Sequence, residues 1–96
     1  MNLASTEKEK IVEICRRNDI SFCALFGSFA RGEATKKSDI DLLIRFAKPT
    51  SLLGHIGITH ELEDALEKDV DLITENKLSS PVRENVLRDL MVVYGE

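Results

Sequence analysis

This chain of 96 residues has no tryptophan, only two cysteines and two prolines, and no surplus of positive charge. Each scarcity removes a class of reading. Thirteen Lys and Arg against 17 Asp and Glu leave a formal net charge of −4, which opposes tracking along a phosphate backbone over a broad surface. Cys15 and Cys23 lack CxxC spacing and sit within apolar patterns, so they read as buried reduced thiols rather than a disulfide or metal pair. No apolar run approaches the roughly 18 residues of a membrane span, and "MNLASTEKEK" has no signal-peptide core. A soluble, cytoplasmic protein is expected. The length fits one domain, 1–96, with little room for a second module to hold an elaborate substrate.

What is present alternates helical and strand patterns. Ser5 or Thr6 can cap a first helix whose stripe is Ile11, Val12, Ile14 and Cys15, ending near Asn18 and Asp19. "SFCALF" is a short apolar run that reads as a buried strand closed by Gly27. "SFARGE" has room for one helical turn before Gly32, and "EATKKS" is a polar loop. "DIDLLIRF" places Asp39, Asp41, Leu43 and Arg45 on one face and Ile40, Leu42, Ile44 and Phe46 on the other, the period of a strand. After Pro49, Thr50 or Ser51 can open a helix whose dependable part is "THELEDALEK"; "DVDLIT" then makes a third strand. "SSPVRENVLRDLMVVY" reads as a closing helix capped by Ser80 with Pro81 in its first helical position, and periodicity leaves "MVVY" as either its end or a further strand. The order implies an α/β (α+β) fold, a small mixed sheet of three to four strands with helices packed on it.

The chemistry lies in the spacing of acids and glycine. Period two sends the Asp39 and Asp41 carboxylates to one side, where they repel when both are ionised. A hard divalent cation such as Mg²⁺ relieves that repulsion and completes its shell with water and phosphate oxygens. The competing reading is a wet strand face whose aspartates pair with Lys36, Lys37 or Arg45. Gly27 permits a sharp turn, Ser28 then opens a turn able to hold a phosphate, and Arg31 can offset triphosphate charge. Asp69 and Asp71 can bring a further carboxylate to the same sheet edge, as two metal ions about 4 Å apart would require.

Gly27-Ser28, ten residues, then Asp39-Ile40-Asp41 resemble the GS…DxD signature of the DNA polymerase β-like nucleotidyltransferase superfamily. Within it, "GSFARGEATKKSDIDLLIRF" looks like the minimal nucleotidyltransferases, the MNT-domain family, and the resemblance covers nearly the whole chain. It implies that Asp39, Asp41 and Asp71 are catalytic metal ligands for two Mg²⁺ ions, with Asp71 also the candidate base. Gly27 and Ser28 would cradle the triphosphate of ATP, with Arg31 beside them. Asp69 departs from the family pattern, which favours a neutral or basic residue there. Antitoxins of this type pair with a HEPN-domain toxin and transfer AMP to it, so the resemblance implies a protein adenylyltransferase acting in a hetero-oligomer. The alternatives are a non-catalytic antitoxin that only binds, or transfer to a small molecule such as an aminoglycoside. The latter usually calls for an extra acceptor-holding domain.

Other motifs fall short. Gly27 and Gly32 frame four residues as in a phosphate-binding Walker loop, but Glu33 and Ala34 stand where lysine and a hydroxyl are needed. A haloacid-dehalogenase phosphatase has its hydrophobic strand before the aspartates, whereas here it follows. "HELED" lacks the second histidine of a zinc helix, so His60 reads as a surface residue, and His55 does not share its face.

Overall fold

A computed structural model describes residues 3–95 apart from 36 and 79, and the side chains of these residues apart from 76, 80–82 and 85. Helix α1 (Ser5–Arg17) leads into β1 (Ile20–Phe26), the single-turn α2 (Gly27–Arg31) and β2 (Ile40–Phe46). Helix α3 (Leu52–Leu66), β3 (Val70–Thr74), a 3₁₀ turn (Glu75–Lys77), α4 (Ser80–Arg88) and β4 (Met91–Tyr94) complete the order. The sheet runs β3-β2-β1-β4. β1 is antiparallel to both neighbours and β2 is parallel to β3, so the expected mixed sheet has four strands.

The core lies on one sheet face. Ile11, Ile14 and Cys15 of α1 and Ile58, Leu62 and Leu66 of α3 pack with Cys23, Leu25, Ile40, Leu42, Ile44 and Leu72 of the sheet. Burying side chains of this size contributes about 1.5–3 kcal/mol each. The Cys23 thiol, hydrogen-bonded to Cys15 and desolvated, is pushed up and held protonated; both cysteines are free.

Three expectations change. The cap of α1 is Ala4, not Ser5 or Thr6; its N–H donates to Glu7 Oε1 at 2.9 Å, so the glutamate satisfies the helix start without a hydroxyl. The last helix stops at Arg88, and the alternative left open for "MVVY" resolves to the edge strand β4. Ser80 is the first residue of that helix rather than the one before it, which puts Pro81 second. Leu43, assigned by alternation to the wet face with the aspartates, is buried, because it pairs across β1 with buried Ala24 on a face that is itself partly covered. At α3 the alternative resolves to Ser51, whose hydroxyl accepts from Gly54 N at 3.1 Å.

Side chains of α3 also close the outer edge of β3. His55 Nε2–H donates to Leu72 O at 2.9 Å, and Glu63 Oε2 accepts from Val70 N at 3.1 Å. Edge groups that could pair with another strand are thereby occupied.

Candidate active site

Every sequence-predicted acid lies at the end of the sheet where β1 turns into α2. Phe26, the last residue of β1, pairs with Asp41, and Asp41 stands directly opposite Asp71 in the parallel β2–β3 register. Side chains at paired positions project to the same face, so the two carboxylates share it. Asp39 precedes β2 in the chain, and Ile40 N donates to Asp69 O at 2.9 Å, which stitches the two strand entrances together. Asp41 is half-buried, while Asp39 and Asp71 are exposed.

Gly27 is where the β1–α2 turn and the Asp41 carboxylate meet. Its φ is +72°, and a Cβ there would lie 2.2 Å from Asp41 Oδ2. A side chain is therefore excluded twice, by backbone conformation and by space. Gly32, at φ +73°, ends α2 in the left-handed conformation, and Glu33 N returns to Ser28 O at 2.9 Å. The Ser28 hydroxyl has no hydrogen-bond partner among the described residues.

The electrostatics are unresolved by the protein itself. Desolvation, then the charges of Asp71 and Asp39, raise the Asp41 carboxyl above its ordinary value, against a smaller lowering by Arg31. None of the three acids has an ion pair among the described residues. The expected countercharges do not pair with the acids: Arg45 binds Glu75 at the far end of the sheet, Lys37 shares a cleft with Asp39 but has no ion pair among the described residues, and Lys36 lies outside the described residues. Like charges without a partner, and oxygen as the only donor, fit a hard divalent cation. Among the described residues the acids are not drawn into a closed three-ligand cluster.

Arg31 is placed beside this centre but tethered. Its Nε donates to Glu33 Oε1 at 2.5 Å and its Nη1 lies 3.6 Å from Asp89 Oδ2, which raises its pKa. Glu33 and Asp89 were missed by sequence reasoning. Glu33 is two residues from the arginine and was legible as a local partner; Asp89, at the α4–β4 turn, carries no sequence signal linking it to residue 31. Asp69, by contrast, faces a shallow cleft of about 560 Å³ shared with Asp39, Glu63, Asp64 and Glu67, and it is not among the charges that shift Asp41.

Residues 9–96 match the family described as "Polymerase beta, Nucleotidyltransferase". The chain belongs to that family. This nucleotidyltransferase is 37% identical over 81 residues to the protein adenylyltransferase MntA of Thermococcus cleftensis, a match spanning 84% of this chain and 82% of that one. It superposes with TM-score 0.82 on a chain from a toxin–antitoxin crystal structure with AMP-PNP, at 26% identity over 93% of this chain and 73% of the other. A structure of a tri-AMPylated Shewanella oneidensis HEPN toxin in complex with an MNT antitoxin shares the fold, with TM-score 0.74 and 24% identity over 94% and 71% of the two chains. Like the MntA enzyme it resembles, this chain is a nucleotidyltransferase by family, and among its described residues no helix is long and apolar enough to cross a membrane.

Proposed function

We propose that this nucleotidyltransferase moves AMP from ATP onto a hydroxyl of a HEPN-domain toxin, as the cytoplasmic antitoxin of the pair. The observation that carries this reading is the abutment of the phosphate turn on an uncompensated acidic pair: Gly27 against Asp41, with Asp71 opposite. The relative named as a protein adenylyltransferase and the toxin–antitoxin neighbour with AMP-PNP supply the support for donor and partner.

Asp39, Asp41 and Asp71 would hold Mg²⁺. When bound, it offsets the negative charge of the triphosphate and of the departing pyrophosphate. The chain's own residues do the rest. The Gly27–Ser28 turn seats the β- and γ-phosphates, the unpartnered Ser28 hydroxyl donating to them, and Arg31 lends positive charge. The acceptor oxygen, from a tyrosine or serine of the partner, attacks the α-phosphorus; the new O–P bond forms as the bond to the β-phosphate oxygen breaks. The hydroxyl proton passes to Asp71, the most exposed of the paired acids and so the one open to an incoming group.

Incubating the toxin with MgATP and a catalytic amount of this protein should add AMP to the toxin, read by intact mass, and the added mass should persist after separation. Neutralisation that needs stoichiometric protein, leaves the toxin's mass unchanged and survives loss of both Asp39 and Asp41 would make the chain a binding module instead.

A further inference from the structure

The far end of the same strands carries the opposite charge. A groove of about 790 Å³ opens where β2 and β3 finish, beside the start of α3. Arg45, Lys48, Lys77 and Arg83 line it, with Glu75 as the only acid among its described lining residues, in a chain whose formal net charge is −4. Glu75 takes Arg45 Nη2 at 2.7 Å on one oxygen and Arg83 Nη2 at 3.3 Å on the other. Two guanidinium groups are thus braced by one carboxylate and keep a net positive charge, and neither lysine has an ion pair among the described residues. Alongside, Leu52 is 75% exposed, Leu53 81% and Ile56 41%. Neighbouring apolar surface of this kind on a small protein marks a contact surface.

We propose that this face docks the protein partner, through a partner segment that carries acidic side chains beside aliphatic ones. The inference rests on the partner named above. Charge complementarity selects the acidic component: cations gathered at one end of an acidic protein steer and register an anionic surface. The exposed leucines and Ile56 select the aliphatic component and disfavour a nucleic acid, whose bases would want exposed rings to stack on. The aromatic ring in the groove lining, Phe46, is half-buried edge-on to His55, with centroids 6.3 Å apart. His55 is in turn fixed to Leu72 O, so the groove wall is anchored to β3. Docking here leaves the Asp41 end, roughly 17 Å away along β2, open to nucleotide and acceptor hydroxyl. Binding and chemistry are then separable by mutation.

The test titrates the HEPN-domain toxin into the wild type, a Lys48→Glu/Lys77→Glu double variant and Leu53→Asp, at low and physiological salt. Each variant should bind about tenfold or more weakly, the charge variant should lose most of the salt dependence, and both should keep the wild-type melting temperature and ATP affinity. In the transfer assay the KM for the toxin should rise while kcat holds. Toxin affinity within about twofold of wild type in both variants, no wild-type binding, or binding of an RNA oligonucleotide that depends on Lys48 and Lys77 while toxin binding does not, would each overturn the docking face. A wild type that binds the toxin through these residues yet never changes its mass removes the transferase reading and leaves the docking face standing.

Discussion

At one end of β2 and β3 the carboxylates of Asp41 and Asp71 stand opposite each other with no ion pair among the described residues, while at the other Arg45 and Arg83 grip Glu75. The strands and their register are shared. Only the polarity of the side chains and the completeness of their pairing differ. At the groove end the protein answers its own charge, and there the carboxylate serves as a brace. At the turn end it leaves charge unanswered and adds desolvation, which raises Asp41. Uncompensated repulsion is a cost to folding that a bound cation would relieve, and such places are where function concentrates.

The strongest way to break this comparison is to remove charge from the acidic end. Asp39→Asn, Asp41→Asn and Asp71→Asn should each lower nucleotidyl transfer at least about a hundredfold, measured as AMP incorporated into the toxin under saturating MgATP. Asp69→Asn should be mild, because its charge is not among those acting on Asp41 and its side chain faces the neighbouring cleft. If Asp69→Asn were as damaging as Asp71→Asn, the parallel register would be carrying the wrong acid and the site would have to be rebuilt around the cleft.

How much of this was legible follows from which physical signals are local. Alternation in "DIDLLIRF" located β2 and its core face, since Ile40, Leu42 and Ile44 are all fully buried. It misplaced Leu43, because one strand's pattern does not report whether its second face is covered. The Gly27 turn was readable from glycine alone, but the contact of Gly27 with Asp41 needed the β1–β2 pairing. The opposition of Asp41 to Asp71 likewise needed a register, which is set by tertiary packing rather than by either segment. "MVVY" stayed ambiguous because four apolar residues fit either period. The tether from Arg31 to Asp89 and the basic groove join residues far apart in the chain, so neither carries a local pattern.

Gly27→Ala sharpens the comparison next. It should cost about 1–3 kcal/mol in stability from the left-handed backbone alone, and the added methyl must also displace the Asp41 carboxylate. Activity should fall with it even at temperatures where the variant is fully folded, as judged by circular dichroism and the transfer assay together. A folded Gly27→Ala enzyme with wild-type activity would mean that Asp41 can leave the turn without consequence.

His55→Ala addresses the opposite end. The Leu72 carbonyl loses its donor, at a cost of about 1 kcal/mol, seen as a lower denaturant midpoint. ATP affinity should not change, because His55 sits by the groove, not by Asp41. An equal loss of nucleotide affinity would show that the two ends are coupled, and the separation drawn between them would fail.

The smallest effect concerns the protonation of Asp41. Its folded pKa lies above the unfolded value, so between the two the folded state holds more protons than the unfolded state. Stability from this residue is therefore greatest below the ordinary carboxylate range and falls as pH rises through the raised folded value; at neutral pH the whole cost is present. Replacing the charge should recover it. Asp41→Asn should be more stable than wild type at pH 7 by about 1 kcal/mol or less, since solvent screens a carboxyl that is only partly buried. The advantage should vanish on acidification, because the wild-type carboxyl is then neutral as well. Mg²⁺ gives the same argument a second axis: added to the wild type at pH 7 it should raise the melting temperature, and added to Asp41→Asn it should do so far less. Melting curves for both proteins across pH, with and without Mg²⁺, check the sign. If Asp41→Asn were less stable than wild type at neutral pH and unaltered in its response to Mg²⁺, the carboxylate would be a structural acceptor, and the contrast between a strained acidic end and a satisfied basic one would no longer hold.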